Sequence, residues 1–291
     1  MMTVSKVSAG HAGHYYTADM PGQSQLDSQW MGKAANELGV SGPVDPALFK
    51  CVIAGKTPNG KPLAQRQGIS RRAGIDITFL APKSVSVEAL HHQNSIVLAA
   101  HRQAVAVTLS GIEQQAQTRQ MRQGKVKFLT TGNLVAAAFE HTLNRHNDPQ
   151  LHTHVVIINV TRYQGQWRSF YARKLFQQIK RWGKFYRDKL ATLIIEAGHQ
   201  LRATAEGFWE MASIPAAVIK LFSKRRSEIL EKVGDNASTV QKQYACLTTR
   251  PDKKPLPLAQ LRKQWAHQIR IVTARQREQA MTETQSPDLT R

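Results

Sequence analysis

An α+β fold, an antiparallel β-sheet with helices packed on it, follows from three observations on this 291-residue chain. Short runs with two-residue alternation or high β-branched content recur at 3–8, 75–80, 125–140 and 151–162, and tight turn residues separate several of them. Helical apolar stripes fill the intervals, but not in the strict strand–helix–strand alternation that a doubly wound parallel sheet requires. A hydrophobic content of 41% supplies enough apolar surface for a core in a chain of this length.

Taken in order, Thr3 to Ser8 reads as an edge or half-buried strand. Between Gln23 and Gly39 the positions Leu26, Trp30, Ala34, Ala35 and Leu38 fall on one helical stripe, with Gly39 as C-cap. A second helix starts after Pro43, with Asp45 as N-cap and Pro46 in its first position. Gly55 to Gly74 is a basic loop or hairpin around Pro58-Asn59-Gly60. The alternation of Ile75 to Leu80 gives the next strand, which places Asp76 among apolar neighbours and so demands a partner for it. Ser84 is expected to cap a helix ending near Leu90, and a long helical pattern runs from His92 to Gln120. Strand-like runs at 125–131 and 133–140 precede the strand at 151–162, and Gln164-Gly165-Gln166 is a turn. Leu175, Ile179, Trp182, Tyr186, Leu190 and Leu193 then recur at helical spacing. A strand–turn pair is centred on Glu206-Gly207-Phe208, and a helix follows Pro215. Beyond about Val233 the chain turns polar, and Pro251, Pro255 and Pro257 interrupt it before a basic helix at 258–279. The expected organisation is a principal domain over 1–235 and a basic, mostly helical and partly flexible C-terminal extension over 236–291.

Charge narrows the class of partner. Forty Lys and Arg against twenty Asp and Glu give a formal charge of +20, which suits a polyanion: nucleic acid first, an acidic membrane surface second. Arg71, Arg72 and Lys83 lie near the strand at 75–80. Arg173, Lys174, Arg181 and Lys184 accompany the aromatic helix, and Lys224, Arg225 and Arg226 form a later cluster. These are the candidate phosphate contacts, with Trp167 or Tyr171 available to stack on a base. The N-terminus lacks the layout of a secretory signal, and no apolar run is read as a bilayer span, so no membrane insertion and a cytoplasmic location are expected. Cys51 and Cys246 are too few and too far apart for a disulfide framework.

The chemistry concentrates in Asp148-Pro149-Gln150-Leu151-His152-Thr153-His154 and the β-branched run after it. Two histidines two residues apart on a strand share one face. Such a pair can grip one metal ion, and His141 lies beyond the turn-forming Asn147-Asp148-Pro149, so a chain that doubles back there could return a third imidazole to it. Near the N-terminus Tyr15 and Tyr16 are either packing aromatics or candidate nucleophiles, since a phenol attacks when a metal or base activates it. Three histidines, paired tyrosines, a strand aspartate and a large positive charge point together to metal-assisted chemistry on a phosphodiester; a basic DNA-binding module with purely structural histidines is the contrasting possibility.

These residues also carry a resemblance. His14-Tyr15-Tyr16, the run Gly74-Ile75-Asp76-Ile77-Thr78-Phe79 with Ala81-Pro82-Lys83-Ser84-Val85-Ser86, and Phe139-Glu140-His141 leading to His152-Thr153-His154 resemble the conjugative relaxases of the MobF class. That class belongs to the HUH, or rolling-circle, endonucleases, and the resemblance extends over about 1–235, including Phe222 to Arg226. It implies site- and strand-specific nicking and joining of single-stranded DNA, beside a DNA hairpin, at a plasmid origin of transfer. Tyr15 would attack the scissile phosphate, giving a 5′-phosphotyrosine and a 3′-hydroxyl. His141, His152 and His154 would hold a divalent cation, magnesium or manganese in use, with zinc or nickel also accommodated. Asp76 would either orient a ligand histidine or accept the tyrosine proton. Accessory relaxosome proteins and a coupling protein are the further partners implied, in the bacterial cytoplasm. A rolling-circle replication initiator of the same superfamily would share this chemistry. Two departures stand out: Thr17 to Gln29 lacks the second tyrosine pair of many relatives, and the residues after His141 are Thr142-Leu143-Asn144-Arg145 rather than the usual Asp-Thr-Ser-Arg.

Overall fold

The computed structural model describes residues 2–8, 28–63, 72–205, 207–234, 236–238, 241, 244, 245, 248 and 256–284. Tyr15, Tyr16 and Arg71 lie outside the described residues, as does much of the chain from 235 to 255.

The centre is a five-stranded sheet in the order β1-β3-β7-β6-β2, with β1 Met2–Val7, β2 Ser28–Met31, β3 Gly74–Leu80, β6 Ala136–Leu143 and β7 Pro149–Ile158. Every neighbouring pair is antiparallel. Strands β6 and β7 form a hairpin whose register sets His141 opposite His152 and Phe139 opposite His154. The central strand β7 is buried over almost its whole length, which explains its near-continuous apolar run after His154.

Side-chain alternation divides the sheet into two faces with separate cores. Ile75, Ile77, Phe79, Ala138, Val155 and Ile157 join one core, together with the helices α3 Lys83–Leu90, α4 Ser95–Gln114 and α5 Arg173–Glu196. Trp30, Ala137, Phe139, Val156 and Ile158 join the other, beneath α1 Lys33–Leu38 and α2 Pro46–Ile53. Helices therefore cover part of the second face as well. Asp45 caps α2 through a 2.7 Å bond from the Leu48 N–H, as its sequence position predicts.

Several elements differ from the sequence reading for identifiable reasons. Trp30 lies in strand β2, paired with Ala137, and not on a helix with Ala34. Gly32 separates the two: its φ is 93°, and a Cβ there would stand 2.3 Å from the Leu134 carbonyl oxygen, so the chain bends where the apolar spacing suggested continuity. Helix α4 stops at Gln114, and Gln117–Arg122 is strand β4 of a separate ribbon with β5 Lys125–Thr130; cross-strand pairing overrides the helix-compatible composition. Ser84 does not cap α3. It sits inside the first turn, where its hydroxyl accepts from the Met211 N–H (2.7 Å) while Glu210 accepts from the Ser84 N–H (2.8 Å). These bonds dock the strand pair β10 Leu201–Ala203 and β11 Trp209–Met211 onto the main core.

Helix α4 meets the length and composition of a bilayer span, contrary to the reading that no run does. Its buried stripe, from Val97 through His101 and Ala104 to Ile112, packs in the core beneath the sheet. Gly111 admits α5 closely, since a Cβ there would meet the Trp182 ring at 2.8 Å. The remaining elements are the hairpin β8 Thr161–Tyr163 with β9 Gln166–Arg168, and the helices α6 Ala216–Leu221, α7 Lys224–Val233 and α8 Leu258–Thr284. Leu261 and Trp265 of α8 are buried in the main core, with Trp265 edge-on to Phe222.

Candidate metal centre

The β6–β7 register and the two-residue period bring His141, His152 and His154 to the sheet face that α1 and α2 cover farther along. Their ring centroids form a nearly equilateral triangle with sides of 5.1, 5.2 and 5.3 Å. One ligand nitrogen from each lies within 4.8 Å of the other two, a spacing one ion can bridge.

Hydrogen bonds choose which nitrogen could serve as a metal ligand for two of the three. His152 Nδ1 lies 2.8 Å from the Gln150 carbonyl oxygen, which can only accept, so Nδ1 carries the proton and Nε2 the ligand lone pair. His154 Nδ1 lies 2.8 Å from Asp76 Oδ2, with Thr78 Oγ1 at 3.2 Å. Asp76 is 6% exposed and comes from β3, whose Thr78 is directly opposite His154. Carboxylate, imidazole and ion position thus fall in sequence, an arrangement that fixes the ring and raises its basicity. The bond to His154 is what the orienting role of Asp76 requires; Tyr15, on which the other role turns, lies outside the described residues.

The turn between the ligand strands is held from three sides. Asp148, 1% exposed, pairs with Lys224 at 3.0 Å and receives a bond from Asn144 at 3.2 Å. Lys83 Nζ donates to the Pro149 carbonyl at 2.9 Å, and burial pulls its pKa down to about 8 against the opposing attraction of Asp148 and Glu210. His146 bonds Glu228 of α7 at 3.0 Å, and Trp265 Nε1 of α8 donates to the Asn147 carbonyl at 2.9 Å. Lys83 and Lys224, read from the sequence as phosphate contacts, are therefore engaged in fixing this turn.

The other expected contacts are dispersed. Arg225 lies 3.1 Å from Glu228, and Arg226 is exposed beside it on α7. Arg72 reaches the Asn159 side chain and the Phe170 carbonyl, before the start of β3 and away from Leu80, the residue paired with His152. Arg173, Lys174, Arg181 and Lys184 belong to α5, which packs on the opposite face of the sheet from the histidines. Sequence reasoning missed His101, Arg102, Glu140 and Thr153, which lie directly behind the centre. The available signal was a histidine within the buried stripe of an apolar helix.

Sheet and site together define a three-histidine cluster able to hold a metal ion on the central hairpin of an antiparallel α+β domain. The chain belongs to the TrwC relaxase family, which it matches over residues 3–272. It is 37% identical over 270 residues to the multifunctional conjugation protein TraI of Escherichia coli K12, a match covering 87% of this chain and 15% of that protein. The chain thus spans only about 15% of the length of the curated relatives it matches. Among solved structures it resembles the conjugative relaxase TrwC in complex with oriT DNA in a copper-bound form, with a TM-score of 0.85, 35% identity and coverage of 94% of this chain and 99% of that one. The complex of TrwC with a 27-mer comprising the recognition hairpin and the cleavage site gives a TM-score of 0.81 at 35% identity, covering 94% and 99% of the two chains.

Proposed function

We propose that this chain is a DNA relaxase domain that nicks and rejoins one strand at a plasmid origin of transfer and so initiates conjugative transfer. The observation that carries the proposal is the histidine centre with its fixed tautomers, in a chain of the TrwC relaxase family. The Tyr15 oxygen attacks the scissile phosphorus, forming the Tyr–O–P bond as the P–O3′ bond breaks. The departing oxygen leaves as a 3′-hydroxyl once protonated, and the phosphotyrosine conserves the bond energy for rejoining. Tyr16 is the neighbouring phenol available for a second transfer. His141, His152 and His154 would hold a divalent ion, which would supply charge stabilisation at the non-bridging phosphate oxygens. Asp76 holds His154 in its ligand tautomer. Three neutral imidazoles suit zinc, nickel or copper best, with manganese and magnesium held more weakly.

The substrate is single-stranded DNA with an adjacent hairpin, which the formal charge of +20 favours. Relaxosome proteins and a coupling protein in the bacterial cytoplasm are the further partners in this scheme. The test is incubation with a single-stranded oligonucleotide carrying the cognate transfer origin and a divalent metal, followed by denaturing electrophoresis. A covalent protein–DNA adduct is expected, lost with a chelator and in Tyr15→Phe. An adduct undiminished when Tyr15 and Tyr16 are both changed to Phe contradicts the assignment of the nucleophile.

A further inference from the structure

Directly behind the histidine centre, two consecutive residues of α4 grip the two strands that carry it. Thr153, between His152 and His154, points to the opposite face, where its hydroxyl lies 2.8 Å from His101 Nε2. His101 Nδ1 lies 2.8 Å from the Tyr186 hydroxyl of α5, and all three residues are buried. Glu140, the residue before His141, is paired with Thr153 across the hairpin and is 3% exposed. Arg102 binds it bidentately, at 2.8 Å through Nε and 3.1 Å through Nη2.

Thr153, His101, Tyr186 and Glu140 are buried, where polar groups are costly unless each is satisfied, while the Arg102 side chain is 42% exposed and reaches Glu140 from the surface. What the polar set adds is fixed geometry. A hydrogen-bonded Thr153 and a clamped Glu140 restrain the hairpin at the two positions flanked by the ligands, so sliding or twisting of one strand against the other is opposed from behind.

We propose that His101 and Arg102 are positioning residues that set the metal affinity of the centre through Thr153 and Glu140, without touching the ion. This rests on the reading of His141, His152 and His154 as metal ligands. Calorimetric titration of manganese into metal-free Thr153→Val and Glu140→Gln proteins, with thermal melting of the same samples, tests it. Each variant nearly preserves side-chain volume and leaves all three ligands in place. Each is expected to weaken manganese binding about 10-fold, the low end of what loss of an outer partner costs. His101→Gln, which keeps a polar group at this position, is expected to recover part of the affinity that His101→Leu loses. Folded variants whose melting point falls while their manganese affinity stays within about twofold of wild type would overturn the brace and leave the ligand assignment standing. Wild-type protein that binds no manganese, zinc or nickel would overturn the ligand assignment itself, and the brace with it.

Discussion

His141, His152 and His154 lie on one face of the β6–β7 pair and His101 of α4 packs against the other, and their surroundings give them opposite properties. His152 and His154 each turn Nδ1 to an oxygen acceptor and present Nε2 towards a shared centre with His141. His101 has both ring nitrogens engaged by hydroxyls in a sealed core, and burial drives its pKa down to about 3, with lesser contributions from His152 and Arg102. The same burial pushes the Tyr186 phenol up. One imidazole type thus serves as a metal ligand where a nitrogen is directed to an accessible centre, and as a neutral hydrogen-bonding strut where none is.

The most severe way to break this comparison is on the ligand face. His152→Ala with His154→Ala should cost more than the roughly 10- to 100-fold typical of losing an outer partner, leaving calorimetry with no specific manganese isotherm. Asp76→Asn keeps the shape but removes the charge that orients His154, so manganese affinity should fall roughly 10-fold. On the sealed face, the contrast is one of stability against pH in metal-free protein. His101 stays neutral when folded, whereas in the unfolded chain it takes up a proton near its ordinary value of about 6.5. Its contribution is therefore complete above about pH 6.5 and is lost as pH falls towards 3, at up to about 1.4 kcal/mol per pH unit. Urea unfolding at pH 7.5 and 5 should show this slope reduced in His101→Gln. The smallest effect on metal binding is expected at the turn: Trp265→Phe removes one bond to Asn147, about 1 kcal/mol, and adds the cost of a smaller ring in the core, with manganese affinity within about twofold of wild type.

The ligand face was legible because its signals are local. A His-x-His pair on a β-branched strand and a turn between it and His141 specify the triad with little reference to the rest of the chain, and an aspartate in an apolar strand announces a partner. The opposite face was not legible, because His101 and Thr153 are 52 residues apart, Arg102 and Glu140 are 38 apart, and neither pair has a spacing rule. The same distinction governs the fold. The strands at β3 and β7 and the helix after Asp45 follow from pattern and capping. The misassigned β2 and β4 owe their state to pairing with β6 and β5, which composition does not record. Basic residues were recognisable as such, but their sidedness depends on packing: α5 carries its set to the reverse of the sheet, and Lys83 and Lys224 are drawn into the turn beside the ligands.

The most direct test of the central claim is an anomalous difference map from crystals of the wild-type protein soaked in zinc. The account predicts one strong peak enclosed by His141, His152 and His154, at about 2.0–2.1 Å from a nitrogen of each, with Nε2 the ligating atom of His152 and His154. No peak there, or bonding through the Nδ1 atoms that face Gln150 and Asp76, would contradict it.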